Sequence, residues 1–425
     1  MSNLLEKASI ITTPTAYSDG VLHSVKPSES PYADFTFTRN NIGTRVNASG
    51  NIESVGVDLP RIDYLGGSGS WLLEPEATNT ATYSNDFSQG TIFISSSDAS
   101  TTNGVIITAN ATTSPEGLTN ASKIQIGTTN SGFNRLRYTT ANMVSGNINT
   151  LSIFAKKGSG VDWLGIFVDG IDASSRAWFD LENGVLGNKS AAVINHKIED
   201  YGNGWYRCSI SFSTSVDTNG VFSFVITDGN GGTSYAGDLT DHHFIYGLQA
   251  ESHATREYAT SYIPTSEGTG TRAADSAIDA GSSDLISSTE GVLYAEISAL
   301  TNELDGTYKV ITLNNGIVDE YVLLGFTNIN NIYASVGGTF ISSLTPTDAT
   351  DFHKVAIKYE DNNCKLFING VQVGTINTTA TVPSGLDRLN FDSGLGGSPF
   401  DGNVKCVAVF QEALTDAELE ALTTI

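Results

Sequence analysis

Three tryptophans and one tyrosine in the middle of the chain are the residues best suited to holding a carbohydrate. A sugar is bound by an aromatic face against its C–H groups and by polar groups on its hydroxyls. The candidates for this role are Trp163, Trp178, Trp205 and Tyr235. In WYRCSISF, Trp205 has the opposite parity to Tyr206 and Cys208, so we expect it to face away from the core of its domain. The last third of the chain has no tryptophan and offers less specific rings there: Tyr308, Tyr321, Tyr333 and Phe400.

The glycine-rich segment TDGNGGTSYAGDLTD carries oxygen ligands of the kind that calcium prefers. Its candidates are Asp228, Asn230, Asp238 and Asp241, and two more carboxylates, Asp392 and Asp401, flank the GLGGSPF segment. The spacing fits no EF-hand, and a solvated acidic loop is the alternative. The sequence therefore allows a structural calcium ion and indicates no other cofactor.

No arrangement of side chains predicts catalysis. A glycosidase needs two carboxylates about 5 Å, or about 6.5–9.5 Å, apart, and the E-x-D-x-x-E run that positions such pairs in sandwich glucanases is missing. Asp180 and Glu182 share a strand face but enter a glycine turn. His242 and His243 are adjacent, so on a regular strand they point to opposite faces. There is also no GxSxG, HExxH or phosphate-loop motif, and we expect a protein that is not an enzyme.

The composition predicts short strands joined by tight turns. The chain has 425 residues, of which 16% are charged and 43 are glycine, a length that suggests two or three domains. Alternating apolar residues predict strands in three segments: Leu151, Ile153 and Ala155; Phe222, Phe224 and Ile226; and Phe244, Tyr246 and Leu248. The pattern predicts an all-β protein with two tandem antiparallel β-sandwiches of the jelly-roll type.

The predicted domains are an extended N-terminal arm over residues 1–72, a jelly roll over 73–270 and a second sandwich over 276–425. The arm has scattered prolines and ends in GGSGS, and its alternative is a segment folded back on its own chain. Between the sandwiches, residues 263–280 lack periodicity and indicate a linker. In the last domain Asn369-Gly370 predicts a type I′ hairpin, and Thr415 with Glu418 predicts the capping box of one short C-terminal helix.

The charge balance excludes some partners. Lys plus Arg number 22 against 46 Asp plus Glu, a net charge of −24 that would repel a phosphate backbone. No stretch is apolar enough to span a bilayer, and the opening residues do not resemble a secretory leader, so we expect no membrane insertion and synthesis in the cytoplasm. The three cysteines, Cys208, Cys364 and Cys406, are expected to be buried thiols.

Several segments resemble known families. The opening NLLEKASIITTPTAY with DFTFTRNNIGTRVNASGNIESV resembles the N-terminal region of structural proteins of tailed bacteriophages. The segments WLLEPEATNTATYSNDFS, LSIFAKKG, GNGWYRCSISFS and YATSYIPT are similar to carbohydrate-binding-module-like jelly rolls of phage fibre and tail proteins. The segments FHKVAIKYEDNNCKLFINGVQVG and SPFDGNVKCVAVFQEALTDAELEAL resemble laminin G and concanavalin A-like lectin domains.

The resemblance implies a fibre or spike protein on the virion surface, assembled in the host cytoplasm. Such a protein would join other virion proteins through its arm, form a homotrimer and bind glycans of the host surface or environment. Two alternatives stay open: a polysaccharide depolymerase, and a purely structural capsid decoration. The motifs do not distinguish a head fibre from a tail fibre.

Overall fold

The computed structural model describes residues 2–18, 21–27, 33–90, 93–96, 104–127, 133–171, 174–215, 218–303 and 305–425. The chain divides into two compact units. We call them the terminal unit (Met1–Arg45, Val55–Glu76 and Ala273–Ile425) and the central unit (Val46–Ser54 and Ala77–Arg272). Among the described residues no helix has the length and apolar character needed to cross a membrane.

The structure is almost entirely β, as the composition predicts. The described residues contain two helices, α1 (Ser2–Lys7) and α2 (Asp416–Thr423). In chain order the strands are β1 (Ala8–Ser18), β2 (Val21–Lys26), β3 (Thr36–Thr38), β4 (Gly43–Val46), β5 (Ile52–Val55), β6 (Ile62–Asp63), β7 (Ser70–Leu73), β8 (Ala77–Asn79), β9 (Phe93–Ser96), β10 (Val105–Thr113), β11 (Thr119–Ile126), β12 (Asn134–Met143), β13 (Ile148–Ser159), β14 (Trp163–Asp169), β15 (Ser175–Asp180), β16 (Val185–Lys189), β17 (Val193–Asp200), β18 (Trp205–Ser213), β19 (Thr218–Thr227), β20 (His242–His253), β21 (Gly270–Arg272), β22 (Ser276–Ile278), β23 (Glu290–Ser298), β24 (Lys309–Asn314), β25 (Tyr321–Phe326), β26 (Ile332–Val336), β27 (Thr339–Leu344), β28 (His353–Glu360), β29 (Cys364–Ile368), β30 (Val371–Asn377), β31 (Arg388–Asn390) and β32 (Gly402–Phe410).

The central unit is a sandwich of two six-stranded antiparallel sheets. One sheet has the order β10-β11-β20-β13-β18-β17 and the other β16-β15-β14-β19-β12-β9. Both contribute alternate side chains to one core, which confirms the inward faces predicted for β13 and β19. Cys208 also lies in this core, and its burial raises the pKa of its thiol well above the ordinary value.

The predicted face of β20 is wrong because this strand contains a bulge. Gly247 has φ +62°, and the pairing with β13 shifts there, so that two residues of β13 oppose three of β20. Tyr246 therefore points outward, whereas Leu248 points into the core. Glycine adopts this backbone conformation at no steric cost, and a Cβ here would lie 2.8 Å from the Phe154 ring.

The terminal unit is a second sandwich. Its larger sheet contains the path β2-β1-β32-β23-β28-β29-β30, with β7 also paired to β32 and β6 to β7, and its smaller sheet has the order β27-β26-β25-β24-β31. The core between them includes Val355, Ile357 and Leu366. The hairpin is confirmed, since Asn369 and Gly370 have φ +51° and +82°. So is the capping box of Thr415 and Glu418 at α2.

The N-terminal segment is part of this unit and not a separate arm. Strand β1 pairs with β32, placing Ala8 opposite Phe410, and Ile10 and Trp71 are buried in the terminal core. The alternative of a segment folded back on its own chain is therefore what the structure has, and residues 1–72 do not form a separate arm; the chain passes into the central unit at Ala77. Removing residues 1–72 would expose this core, so the sandwich would not stay folded.

A buried network of charges ties three stretches of the terminal unit together. Arg39 donates to Asp275 across 3.0 Å, and Arg61 binds both Glu74, across 2.6 Å, and Asp275. All four side chains are at most 4% exposed. Burial alone would lower the pKa of Arg61, but the charges of Asp275 and Glu74 outweigh burial and raise this pKa above its ordinary value.

The segment 263–280 is more ordered than a linker. Its strand β21 pairs with β8 in the central unit, and β22 pairs with β3 in the terminal unit. Arg272 is fully buried. A protease therefore has no access to Arg272 while the segment stays folded.

Candidate functional site

The four aromatic residues singled out from the sequence lie in three separate places of the central unit. Trp163 and Trp178 are on the outer face of the sheet that contains β14 and β15, away from the sandwich core. Trp205 is on the outer face of the opposite sheet. Tyr235 follows β19 and packs into the core itself. Stacking on all four rings at once is therefore impossible.

The outer face around Trp163 and Trp178 combines aromatic rings with arginines. It is formed by β12, β14, β15 and β19. Successive residues along each of these strands point alternately to this face and to the core. We call it the arginine–aromatic face and define it by Phe133, Arg135, Arg137, Trp163, Phe167, Arg176, Trp178, Ser223 and Val225. Because all four strands are regular across it, register alone aligns these side chains in rows.

The aromatic part of this face is packed. The rings of Phe167 and Trp178 meet edge to face at 5.2 Å between centroids. The indole N–H of Trp178 donates to the carbonyl of Gly232 across 2.6 Å, which fixes the ring. Trp178 is 7% exposed, whereas Trp163 is only partly buried. Trp163 is therefore the tryptophan of this face with ring surface free for a ligand.

Gly165 and Gly187 lie directly beside two rings of this face. A Cβ on Gly165 would lie 2.8 Å from the Phe167 ring, and one on Gly187 would lie 2.5 Å from the Trp163 ring. Both distances are far below van der Waals contact. The two glycines thus leave room for the rings of Phe167 and Trp163 over the neighbouring backbone, which a side chain at either position would occupy.

Two of the arginines share one carboxylate. Arg135 and Arg176 lie 3.4 Å and 3.6 Å from the oxygens of Asp169. Each guanidinium also lies over a ring, Arg135 over Phe133 at 4.9 Å and Arg176 over Phe167 at 5.0 Å. Such stacking holds the guanidinium planes against the face while leaving N–H groups for a ligand.

Sequence reasoning missed these arginines, although a signal was present. In FNRLRY, Arg135 and Arg137 alternate with Leu136 and Tyr138, which are core residues. In SRAWFD, Arg176 has the same parity as Trp178. The parity argument used for Trp205 would have placed all three arginines on the outer faces of their strands.

Trp205 faces away from the sandwich core, as its parity predicts, but it is covered. It packs with Val46, Ile52 and Phe154 and is 2% exposed. Its indole N–H donates to the carbonyl of Thr113 across 3.0 Å. One edge of the ring lines a cleft of about 230 Å³ together with Tyr201 and Lys156. The burial leaves little ring surface for stacking, because the chain's own residues 46–54 occupy that position.

Tyr235 and the proposed calcium ligands have local partners. The Tyr235 hydroxyl lies 3.2 Å from Asp241 and is 8% exposed. Asn230 accepts the N–H of Asn188, and Asp238 accepts both the N–H and the hydroxyl of Thr240. Asp228 is exposed. Within the described ranges no group of three or more His, Cys, Asp or Glu is placed to hold a metal.

The two candidate ligands of the terminal unit are buried. Asp392 accepts the N–H groups of Gly394 and Gly396, at 2.6 and 3.1 Å, and so closes its own loop. Asp401 is 7% exposed. Of the four less specific rings, Phe400 is a core residue, and Tyr308 meets Tyr333 edge to face at 5.8 Å. Calcium binding at Asp228, Asn230, Asp238, Asp392 and Asp401 stays a prediction.

Residues 301–420 match the concanavalin A-like lectin/glucanases superfamily. These residues include β24 to β32 and the first five residues of α2 of the terminal unit. The C-terminal resemblance seen in the sequence is thus confirmed at the level of a lectin-like β-sandwich. No curated protein matches the chain.

Solved structures similar to the chain include three from carbohydrate-active proteins. The CBM40 domain of the Ruminococcus gnavus IT-sialidase, solved with α2,3-sialyllactose, has 21% identity and a TM-score of 0.27 over 32% of this chain and 84% of its own. Domain 4 of the arabinanase AbnA from Geobacillus stearothermophilus, solved with arabinotriose, has 13% identity and a TM-score of 0.29 over 40% and 84%. The Trypanosoma rangeli sialidase has 10% identity and a TM-score of 0.29 over 71% and 60%.

Proposed function

We propose that this protein is a bacteriophage virion surface fibre protein, of the tail or the head, that binds glycans without cleaving them. The observation that carries glycan binding is the arginine–aromatic face, which offers a partly exposed tryptophan ring beside ring-stacked guanidiniums. Aromatic rings and fixed polar donors on one sheet are the two requirements of a sugar site. The lectin-like match of residues 301–420 supports the same function.

The virion role is supported by the phage-like segments of the sequence. Since residues 1–72 contribute strands to the terminal unit, any attachment to other virion proteins would use the surface of that folded unit and not a loose arm. A homotrimer would multiply weak sites on a fibre. Antibody labelling of purified virions would test the location, and light scattering would test for three times the mass of one chain.

Glycan binding is tested by titrating the full chain with host polysaccharide, in the native form and as Trp163→Ala. One stacked ring contributes on the order of 1 kcal/mol, so we expect affinity to fall about fivefold. The control is Tyr308→Ala, which removes a ring that is 43% exposed in the terminal unit and should change nothing. Loss of affinity in Tyr308→Ala alone would move the site to the terminal unit. Release of reducing ends during the titration would favour a depolymerase.

A further inference from the structure

One arginine of the arginine–aromatic face stands apart from the other two. Arg137 is half-buried on β12, and in the part of the chain that the structure describes it makes no ion pair and no hydrogen bond. Its Nε atom is buried. The chain has 46 acidic against 22 basic residues, so a guanidinium could readily have been given a carboxylate partner. A partly desolvated charge without a counter-charge is costly and calls for an explanation.

Arg137 belongs to a row that crosses four neighbouring strands. Register places Arg176 beside Phe167, Phe167 beside Ser223, and Ser223 beside Arg137. Neighbouring strands lie about 4.8 Å apart, so the row brings two guanidiniums to the two sides of one ring and one hydroxyl. Phe167 and Ser223 are fully buried, whereas the two arginines are partly exposed. The middle of the row is therefore covered, and a polar, partly exposed arginine lies at each end of it.

Further polar atoms of this face are buried without partners. They are the Oγ of Ser223, the Oγ1 of Thr227 and the Nε of Arg176. Ser223 and Thr227 lie on the outer side of β19, because Phe222, Phe224 and Ile226 occupy the inner side. Buried polar groups in proteins are nearly always hydrogen-bonded. Several such atoms on one face, in addition to Arg137, indicate a ligand that supplies oxygen atoms.

The charge of the face indicates which kind of ligand oxygen it would bind. Arg135 and Arg176 share one carboxylate, Asp169, whereas Arg137 has no ion pair among the described residues. The other acidic group of the face, Asp180, accepts the N–H groups of Glu182 and Asn183 in its own turn. Arg137 therefore carries a positive charge that no carboxylate of this face balances. A guanidinium binds a carboxylate through two parallel hydrogen bonds, a geometry that a neutral hydroxyl cannot match.

We propose that the arginine–aromatic face binds a sugar that carries a carboxylate. Arg137 takes the carboxylate, and the ring of Trp163 lies against the C–H groups of the adjoining sugar. This inference rests on the proposed glycan binding and narrows it to acidic glycans.

The experiment compares acids with their own methyl esters on the full chain. The probes are a trigalacturonate and N-acetylneuraminic acid, each as free acid and as methyl ester, and a κ-carrageenan oligosaccharide, which carries sulfate but no carboxylate. We expect at least one acid to bind and its ester to bind at least about tenfold more weakly, because a charge-assisted hydrogen bond is lost. The Arg137→Gln variant should bind the acid more weakly by a similar factor and should bind the ester with unchanged affinity.

Two further variants separate this site from general charge and from folding. Lys197→Gln removes one positive charge from β17 of the opposite sheet, where Lys197 pairs with Glu199, and should leave the acid's affinity unchanged. Arg137→Lys keeps the charge but loses the two-pronged geometry, and should still weaken the acid several-fold. Circular dichroism would verify the fold of each variant.

The outcomes distinguish this inference from the function it rests on. Esters that bind as well as acids, an Arg137→Gln variant with native affinity, or binding of the sulfated carrageenan alone would each overturn the carboxylate assignment. Binding of neutral glycans with no binding of either acid would overturn it too, while glycan binding would stand. Failure of every acidic and neutral glycan to bind would overturn both proposals.

Discussion

In the terminal unit Trp71 lies inside the core against Phe35 and Phe391, at 6.0 and 5.9 Å between ring centroids. In the central unit Trp163 and Trp178 lie outside the core, on the outer face of a sheet. The same residue type thus supports folding in one sandwich and offers a surface in the other. Parity along the strand decides between these roles, since it fixes which face a side chain joins.

The arginines differ in the same way. Arg39 and Arg61 of the terminal unit are fully buried and bound to Asp275, while Arg137 of the central unit is half-buried with no partner in the described residues. A buried pair must be complete, because breaking it leaves a charge without compensation. An arginine without a partner on an outer face is instead available to a ligand. Pairing with a carboxylate, more than burial alone, therefore distinguishes a structural arginine from one that is available for binding.

The largest effect is expected from the buried network. Asp275→Asn leaves Arg39 and Arg61 without their shared charge and should destabilise the terminal unit by about 4–5 kcal/mol. Urea unfolding followed by hydrogen exchange in β23 and β32 would measure the change. The control is Asp416→Asn, which removes a 51% exposed carboxylate paired with Lys365 and should cost less than about 1 kcal/mol. Equal losses in both variants would contradict the comparison.

The tryptophans give the next largest contrast. Trp71→Ala removes a ring from the terminal core and should cost about 3–4 kcal/mol. Trp163→Ala should cost about 1 kcal/mol or less, since its ring lies partly exposed on an outer face. Thermal unfolding of the full chain would compare the two. A larger loss in Trp163→Ala would mean that the arginine–aromatic face is a structural element.

Acid should weaken the central unit through His243. This histidine is fully buried on β20 beside the carbonyl of Trp163, and burial lowers its pKa from 6.5 to about 4. Because the folded state resists protonation, its contribution is complete above pH 6.5 and is lost as the pH falls towards 4. We expect the free energy of unfolding to fall by about 2 kcal/mol between pH 6.5 and pH 5. Unfolding curves should show this slope in the native chain and in His242→Gln, but not in His243→Gln.

The smallest effect is expected from a surface pair of the terminal unit. Lys7 lies 2.5 Å from Glu418 at the start of α2, and this bond, with those from Thr415, lowers the pKa of Glu418 to about 2. Lys7→Gln should cost less than about 1 kcal/mol at pH 7. A carboxylate whose pKa is lowered by folding stabilises the folded state at pH values above the pKa that it has in the unfolded chain. The difference in unfolding free energy between Lys7→Gln and the native chain should therefore vanish as the pH falls from 4.5 towards 2. A difference that persists at pH 2 would contradict this account.

Local chemistry explains which elements were predictable. The hairpin at Asn369-Gly370 and the cap at Thr415 depend on residues adjacent in sequence, and both were predicted correctly. The inward faces of β13 and β19 follow from alternation alone. The bulge at Gly247 was missed because alternation assumes a regular strand, and a single glycine does not reveal whether it breaks the register.

The sequence by itself determined the all-β class, the two sandwiches and which side of each strand is apolar, because these follow from period-two patterning. Only the tertiary structure decided that β1 pairs with β32 some 400 residues away, that residues 46–54 cover Trp205, and that Arg137 and Arg176 lie in one row. Such contacts join segments far apart in the chain. Their partners are chosen by shape and charge in three dimensions, which no local pattern records.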